Sequence, residues 1–554
     1  MMKVIIIGAC LLMAIFVWCS PGFFWGILGG TGLVWGFVVG VRKMVWDGRV
    51  LQRQESQHVV IVGAGAAGMA CAFSLSRWPE YRVTVVDEKP VCGGVATSER
   101  WRRRGNTNQK KNGGEEEEEE EEEVWFNDGV QGGAIDTYTN VLRLHRLFGF
   151  EPKRVPLNVA FGSGKWRWTN YGPVIGATQA LQEEIQAFSR LMERVYAWGN
   201  IFMLIDICQL LRWLQYSPEF IDHYVLALTA LFFGTGNQTR AVPAAVVARV
   251  FCDPEFAIFR LDPARFIGKS ADFFAFQDLG RIYATMQEQL SSTGRVSFRL
   301  GCGVQSLHRH QDKQGGHGNN SGGCVLTLRD GQKLRADRVV FACDAQTALE
   351  VLGSEATLME RWTLGGVRFF RDVTYTHTDQ AYMRQQFGWE GSDSDCMYII
   401  RPYQHDPSRG EMGFVLSNYQ AHLSQQTQQE QEDQAQKDGP LFQTIYLDQE
   451  HDQAHWTLPH LDKSRVVLVK WWRQFAHSRQ HFLRVVPFVR FLQRPHQQAT
   501  LFCGSWTMVN THEAATISGF AAAYRLGAPY PFEAHGFSYR QFLLYLQMIH
   551  GLAV

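Results

Sequence analysis

The longest apolar patterns lie at the start of the chain, where residues 4–19 and 23–41 carry no charge and are separated only by the stretch SPG. A helix needs about 20 apolar residues to cross a bilayer core. The second run is therefore long enough and the first borderline, which predicts an N-terminal membrane anchor over residues 1–45 with one or two spans. A cleaved signal peptide is the rival, but only Lys3 charges its start and no small-x-small cleavage site precedes the second run. Arg42, Lys43, Arg49 and Arg53 follow directly, and the positive-inside rule then places the rest of the chain on the cytoplasmic side of a membrane. Gly26/Gly30 and Gly36/Gly40 have the small-xxx-small spacing that supports helix packing in lipid.

Beyond a polar linker the pattern changes to that of an α/β chain. "HVVIVG" is near-continuously apolar, as a parallel strand covered on both faces must be. A glycine turn, a helical pattern over 66–76 and a second strand, "YRVTVVDE", complete one βαβ unit within residues 58–100. From 101 to 123 a basic cluster runs into consecutive glutamates, a composition that cannot pack a core and predicts a disordered insertion. Two further polar insertions are expected at 310–323 and, rich in glutamine, at 423–439.

Within a substrate and helical domain over 124–290, the stretch from about Ile175 to Gln289 is helical in pattern. "IFMLIDICQLLRWLQY" is broken by Asp206 and Arg212, and "HYVLALTALFFG" is short for a span, so both are expected in the core or on a membrane surface. Strand patterns return in "VLTLRDGQKLRADRVVFACD", with RDGQ as a hairpin turn. The expected organisation is a nucleotide domain assembled from 58–100, 291–352 and 496–530. A mixed α+β substrate domain is built from 124–290 and 353–495.

Composition narrows the function. Lys plus Arg number 54 and Asp plus Glu number 54, so no overall field favours nucleic acid. The 11 cysteines lack metal-ligand or disulfide-framework spacing, which predicts buried free thiols and no metal site.

Gly63, Gly65 and Gly68 form G-x-G-x-x-G between strand and helix. The first allows the turn, the second lets backbone approach a pyrophosphate, and the third lets helix pack on strand, with phosphate at the helix N-terminus. Asp87 ends the next strand, about twenty residues on, where a carboxylate accepts hydrogen bonds from a ribose. The pattern calls for a dinucleotide and leaves FAD and NAD(P) open.

The residues after Asp87, "DEKPVCGGVATS", add the pair Gly93 and Gly94. Here the sequence resembles the flavin-containing amine oxidoreductase superfamily, which includes monoamine oxidases, protoporphyrinogen oxidases and phytoene desaturases. "TLFCGSWTMVNTHEAATISGFAAAYRLG" resembles the family's closing FAD motif, which implies Gly504 and Glu513 near the pyrophosphate and ribityl chain and a helix from about residue 514. The resemblance also implies a backbone contact of Val304 with adenine, and FAD as the cofactor. "FNDGVQGG", "TNVLRLHRLFGFE" and "VTYTHTDQAYM" resemble a narrower branch of FAD-binding, amine-oxidase-like proteins, some of which occur with cyclopropane fatty acid synthases.

A flavin carries out electron transfer itself, so the protein need supply only orientation, a dry pocket and electrostatics. The polar candidates are His377 and Asp379, which share a face if "YTHTD" is a strand, and Lys470, which resembles the lysine many amine oxidases place near the flavin; His512 stands beside Glu513. Trp471 and Trp472 are candidate pocket walls, and Cys396 and Cys503 candidate flavin attachment points outside any attachment motif. The reading is a membrane-anchored FAD-dependent oxidoreductase acting on a lipophilic substrate, with a phytoene-desaturase-like desaturase or isomerase as alternative. A simple NAD(P) dehydrogenase lacks the closing motif, and a non-catalytic membrane-bound scaffold has no need of either glycine segment.

Overall fold

Gln57–Val62 is the central strand of a five-stranded parallel sheet, and its last four residues are buried. The sheet runs Val296–Arg299, Tyr81–Val86, Gln57–Val62, Arg338–Phe341 and Thr500–Phe502. Its strands come from both ends and the middle of the chain; the inner strands are mostly buried, as strands covered on both faces must be, while Val296–Arg299 closes one edge with Ser297 and Arg299 exposed. The computed structural model describes residues 56–104, 121–254, 257, 259–268, 270–310, 323–391, 395–423, 439–494 and 499–552. The anchor expected over 1–45 lies outside the described residues. Among the described residues, no helix is long and apolar enough to cross a membrane.

Helix Ala66–Ser76 follows the first strand and is buried along nearly its whole length. Helix His512–Arg525 crosses it, and small residues set how close the two come: a Cβ added at Gly519 would sit on the Ala67 carbonyl oxygen. Cys324–Leu328 and Lys333–Ala336 form an antiparallel hairpin around the RDGQ stretch, with Gly331 at φ +84°, and Val304–Arg309 completes a three-stranded sheet.

The second domain is built on a seven-stranded sheet. Its order is Val466–Phe475, Phe369–His377, Phe442–Tyr446, Gly410–Val415, Tyr398–Pro402, Val159–Phe161 and Trp168–Thr169, antiparallel except where Tyr398–Pro402 meets Val159–Phe161. One face looks into the nucleotide domain. The other is covered by an aromatic and aliphatic cluster that includes Tyr382, Met383, Phe387 and Trp389.

The stretch 175–289 is less uniformly helical than its pattern predicts, since it carries the strands Leu261–Asp262, Phe266–Ile267 and Ser270–Ala275. Gly132–Ala134, Ser270–Ala275 and Lys153–Leu157 make a small antiparallel sheet among the helices. Helix Leu226–Phe233, from the apolar run, is largely buried in the core. The expectation of disorder across 101–123 also needs correcting at its ends. Ser98–Arg104 pairs antiparallel with Glu121–Asn127, carrying Arg102 opposite Glu123 and ending at Arg104 opposite Glu121. The basic and acidic runs are complementary in charge, and such cross-strand pairs favour a ladder.

Candidate active site

The chain turns sharply out of the first strand at Gly63, whose φ is +113° and where an added Cβ would lie 2.8 Å from the Ala342 carbonyl carbon. At Gly68 a Cβ would overlap the Gly63 carbonyl oxygen, so helix Ala66–Ser76 can close on the turn only with glycine there. Gly65 is the helix N-cap and supplies no side-chain hydrogen bond, which leaves the first-turn N–H groups for an anion. Beside it, Gly93 donates its N–H to the Ala64 carbonyl at 2.9 Å, and a Cβ on Gly94 would meet the Gly65 Cα at 3.0 Å. Two glycine segments therefore lie backbone against backbone. Asp87 ties them to its strand by accepting from the Ala64 N–H at 2.7 Å and the Lys89 N–H at 2.8 Å.

From this cradle a cavity of about 1240 Å3 runs to the inward face of the seven-stranded sheet. Pockets for one small ligand are roughly 300–1,000 Å3, so a dinucleotide and a second molecule fit together. Gly63, Gly65, Asp87, Gly93, Gly94, Val304 and Gly504 all line it. Gly68 does not, in keeping with its packing role. Gly504, at φ +131°, donates to the Ser518 hydroxyl at 2.8 Å, which joins the closing loop to helix His512–Arg525.

Glu513 is placed differently from what the resemblance implies. It is absent from the cavity wall; its buried carboxylate accepts from the Asn140 N–H at 2.8 Å, the Asn140 side-chain amide at 2.9 Å and the Val141 N–H at 2.9 Å. It thus caps helix Thr139–Leu147, although burial pushes its carboxyl up to about 7. Removing it strands several buried donors, each costing ~1–3 kcal/mol. Glu513→Ala is expected to lower stability by roughly 3–5 kcal/mol in urea denaturation; a loss below about 1 kcal/mol would contradict the capping role. Its neighbour His512 does reach the cavity wall, pairs with the Tyr283 hydroxyl at 2.8 Å, and is lowered to about 4 by burial.

The catalytic candidates separate by sheet face. Asp372 and Thr374 line the cavity, whereas His377 follows the odd-numbered positions onto the opposite face. There it meets Tyr382 edge-on and packs at a tilt against Phe442, pairs with the Thr444 hydroxyl at 3.0 Å and is lowered to about 4 by burial. Asp379 lies past the strand end. One carboxylate oxygen caps helix Gln380–Phe387 through the Tyr382 N–H at 2.9 Å, and the other accepts from the Asp462 N–H at 3.0 Å. The two residues do share a neighbourhood, but it is a packed one on the far side of the sheet.

Lys470 is on the cavity side, opposite Thr374 in register. Its ammonium is held by the Glu99 carboxylate at 2.6 Å and the Asp128 carboxylate at 2.7 Å, 4.9 Å from the centre of the Trp472 ring. Asp128 lines the cavity, as do Trp472 and Gln443. Asp128 was missed in the sequence; its signal was an acid placed directly before the run GVQGG. Trp471, one residue out of phase, is exposed. Cys396 and Cys503 are fully buried away from the cavity wall.

A parallel five-stranded nucleotide sheet, two glycine segments and a second sheet across the cavity define a Rossmann-like two-domain fold of the amine oxidase type. The family signature of an NAD(P)-binding Rossmann-like domain matches residues 61–110. A putrescine oxidase with redesigned cofactor binding superimposes with a TM-score of 0.54 at 13% identity, over 85% of this chain and 99% of its own. The CLA-producing fatty acid isomerase from P. acnes gives 0.54 at 13% identity, over 85% and 98%. Cyclohexylamine oxidase from Brevibacterium oxydans IH-35A gives 0.53 at 14%, over 85% and 99%. At such identities these likenesses establish the fold. No curated protein matches the sequence significantly.

Proposed function

We propose that the protein is an FAD-dependent oxidoreductase acting on a lipophilic substrate and held at a membrane by residues 1–45. The observation that carries the reading is the continuity of the cavity: the double glycine cradle opens directly onto an apolar sheet face. Gly63, Gly65, Gly93 and Gly94 would hold the pyrophosphate by backbone contact, Asp87 the ribose, and Gly303–Val304 the adenine end, since all of them line the cavity. Bound FAD supplies two-electron redox chemistry there. Tyr398, Met412, Phe414, Ile445, Phe233 and Phe482 line the other half, surfaces that exclude water and take up an alkyl or polyene chain.

The apolar lining of that half also favours a second reading, a desaturase or isomerase working on a chain. A scaffold without cofactor accounts for neither glycine segment. The visible spectrum of the detergent-purified full chain, before and after denaturing release, tests the reading. Flavin bands released as FAD are expected; a colourless protein that does not take up added FAD would rule it out. Anaerobic bleaching of the flavin by membrane lipids, and none by water-soluble amines, is expected for a lipophilic substrate.

A further inference from the structure

We propose that Glu99, Lys470 and Asp128 form a proton path between solvent and the cavity, with Asp128 as the group that exchanges a proton with the reacting molecule. The inference rests on the oxidoreductase reading above and assigns the route by which its proton leaves. Glu99 Oε1, Lys470 Nζ and Asp128 Oδ2 are linked at 2.6 and 2.7 Å. Their side-chain exposure falls from 35% at Glu99 through 24% at Lys470 to 0% at Asp128, so the chain leads inward from water.

The inner end is open. Asp128 lines the cavity; its Oδ2 meets the Lys470 ammonium as an ion pair at 2.7 Å, and among the described residues neither buried carboxylate oxygen has a partner in hydrogen-bond geometry, which leaves Oδ1 without any contact of this kind. A buried ion pair with an unpaired oxygen is a poor stabiliser, because the desolvation of both charges is only partly repaid. The surrounding backbone nonetheless holds it firmly. Gln443 donates its side-chain amide to the Asp128 carbonyl at 2.9 Å. At Gly129 a Cβ would overlap the Val95 carbonyl oxygen and meet the Trp472 ring at 2.8 Å. Asp128 therefore sits where the nucleotide-binding segment meets the substrate sheet. Glu99, Lys470 and Asp128 are the charged groups that face one another there, with the Thr97 hydroxyl 3.2 Å from the ammonium.

The chemistry balances. Oxidation breaks two bonds to hydrogen in the substrate: one hydrogen leaves as hydride, carrying two electrons to FAD, and the other as a proton to Asp128 Oδ1. Lys470 then gives an ammonium proton to Glu99 as it takes the proton from Asp128, which restores the ammonium and the Asp128 carboxylate. Glu99 releases its proton to water. The charge on the three side chains is unchanged at the end of the transfer, and the hydride's negative charge remains with its acceptor.

Two measurements on the full chain test the path. In cofactor-free protein, the Asp128 carboxyl stretch after a pH jump is followed by time-resolved infrared spectroscopy and assigned by its loss in Asp128→Asn. Glu99→Gln, which leaves the Lys470–Asp128 pair in place, is expected to slow its appearance about tenfold or more at unchanged amplitude. In FAD-loaded protein, photoreduction in weak buffer with an indicator dye is expected to show proton uptake slowed to a similar degree in Glu99→Gln. The bound-flavin spectrum should not change. Wild-type rates in Glu99→Gln would overturn the path and leave the triad a structural ion pair. Absence of FAD uptake by the wild type would instead sink the oxidoreductase reading, and the infrared result would still decide the path.

Discussion

Lowering the pH from 7.5 to 5.5 is expected to bring the chain close to unfolding. Burial lowers His377, His481 and His512 to about 4 and His477 to about 3, and holds His145 and His550 well below the ordinary histidine range. Unfolding returns all six to about 6.5, so near pH 5.5 the unfolded chain binds six protons that the native one refuses. Asp372 and Glu513 act in the opposite sense, since burial raises both to about 7 and the native state holds their protons. Six less two leaves four protons in favour of the unfolded state among the groups shifted furthest; the smaller shifts, lowered at His58, His223 and His422 and raised at Asp128, Asp206, Asp222 and Glu411 by burial, oppose one another. Stability then falls as pH drops from about 6.5, at roughly 5 kcal/mol per pH unit at its steepest. Against a total of ~5–15 kcal/mol, that slope exhausts the native state before pH 4. Urea midpoints measured at pH 7.5, 6.5 and 5.5 check it, and a midpoint that is flat or rises on acidification would mean that these imidazoles are protonated in the fold.

Gly65→Val is expected to abolish FAD binding while leaving the protein folded. The backbone at Gly65 is extended, at φ −74° and ψ −175°, a conformation valine adopts readily, and a Cβ there meets nothing nearer than the Gly94 Cα at 3.8 Å and the Gly93 carbonyl oxygen at 4.0 Å. The added side chain occupies the space over the helix N-terminus where the pyrophosphate has to lie. A loss of at least about 100-fold in affinity, close to 3 kcal/mol, is expected, with the melting temperature of the cofactor-free protein nearly unchanged. Gly68→Val gives the contrast, because its Cβ overlaps the Gly63 carbonyl oxygen and the helix cannot close. If Gly65→Val retained wild-type affinity, the cradle would hold something other than a dinucleotide.

The nucleotide half was legible because its determinants are local. A strand, a glycine turn and the helix Ala66–Ser76 lie within twenty-odd residues of one another, and each glycine is there for a contact within its own loop or with the adjoining strand. The substrate half depends on long-range pairing. "FFRDVTYTH" is buried on both faces over much of its length, so its polar residues show no alternation that would put Asp372 in the cavity and His377 behind the sheet. Glu513 was recognisable as an acid opening a helix, but its partners Asn140 and Val141 come from far earlier in the chain. Lys470 was singled out, whereas the carboxylates that define its surroundings belong to segments more than three hundred residues away.

The ribbon of Ser98–Arg104 and Glu121–Asn127 offers a practical handle. Its ladder ends with Arg104 and Glu121 in register, so an insertion between them begins and ends at positions already paired. Doubling the length of a flexible connection costs only ~0.6 kcal/mol. A fluorescent reporter or an affinity tag spliced between these two residues would leave the chain's own terminal segment untouched.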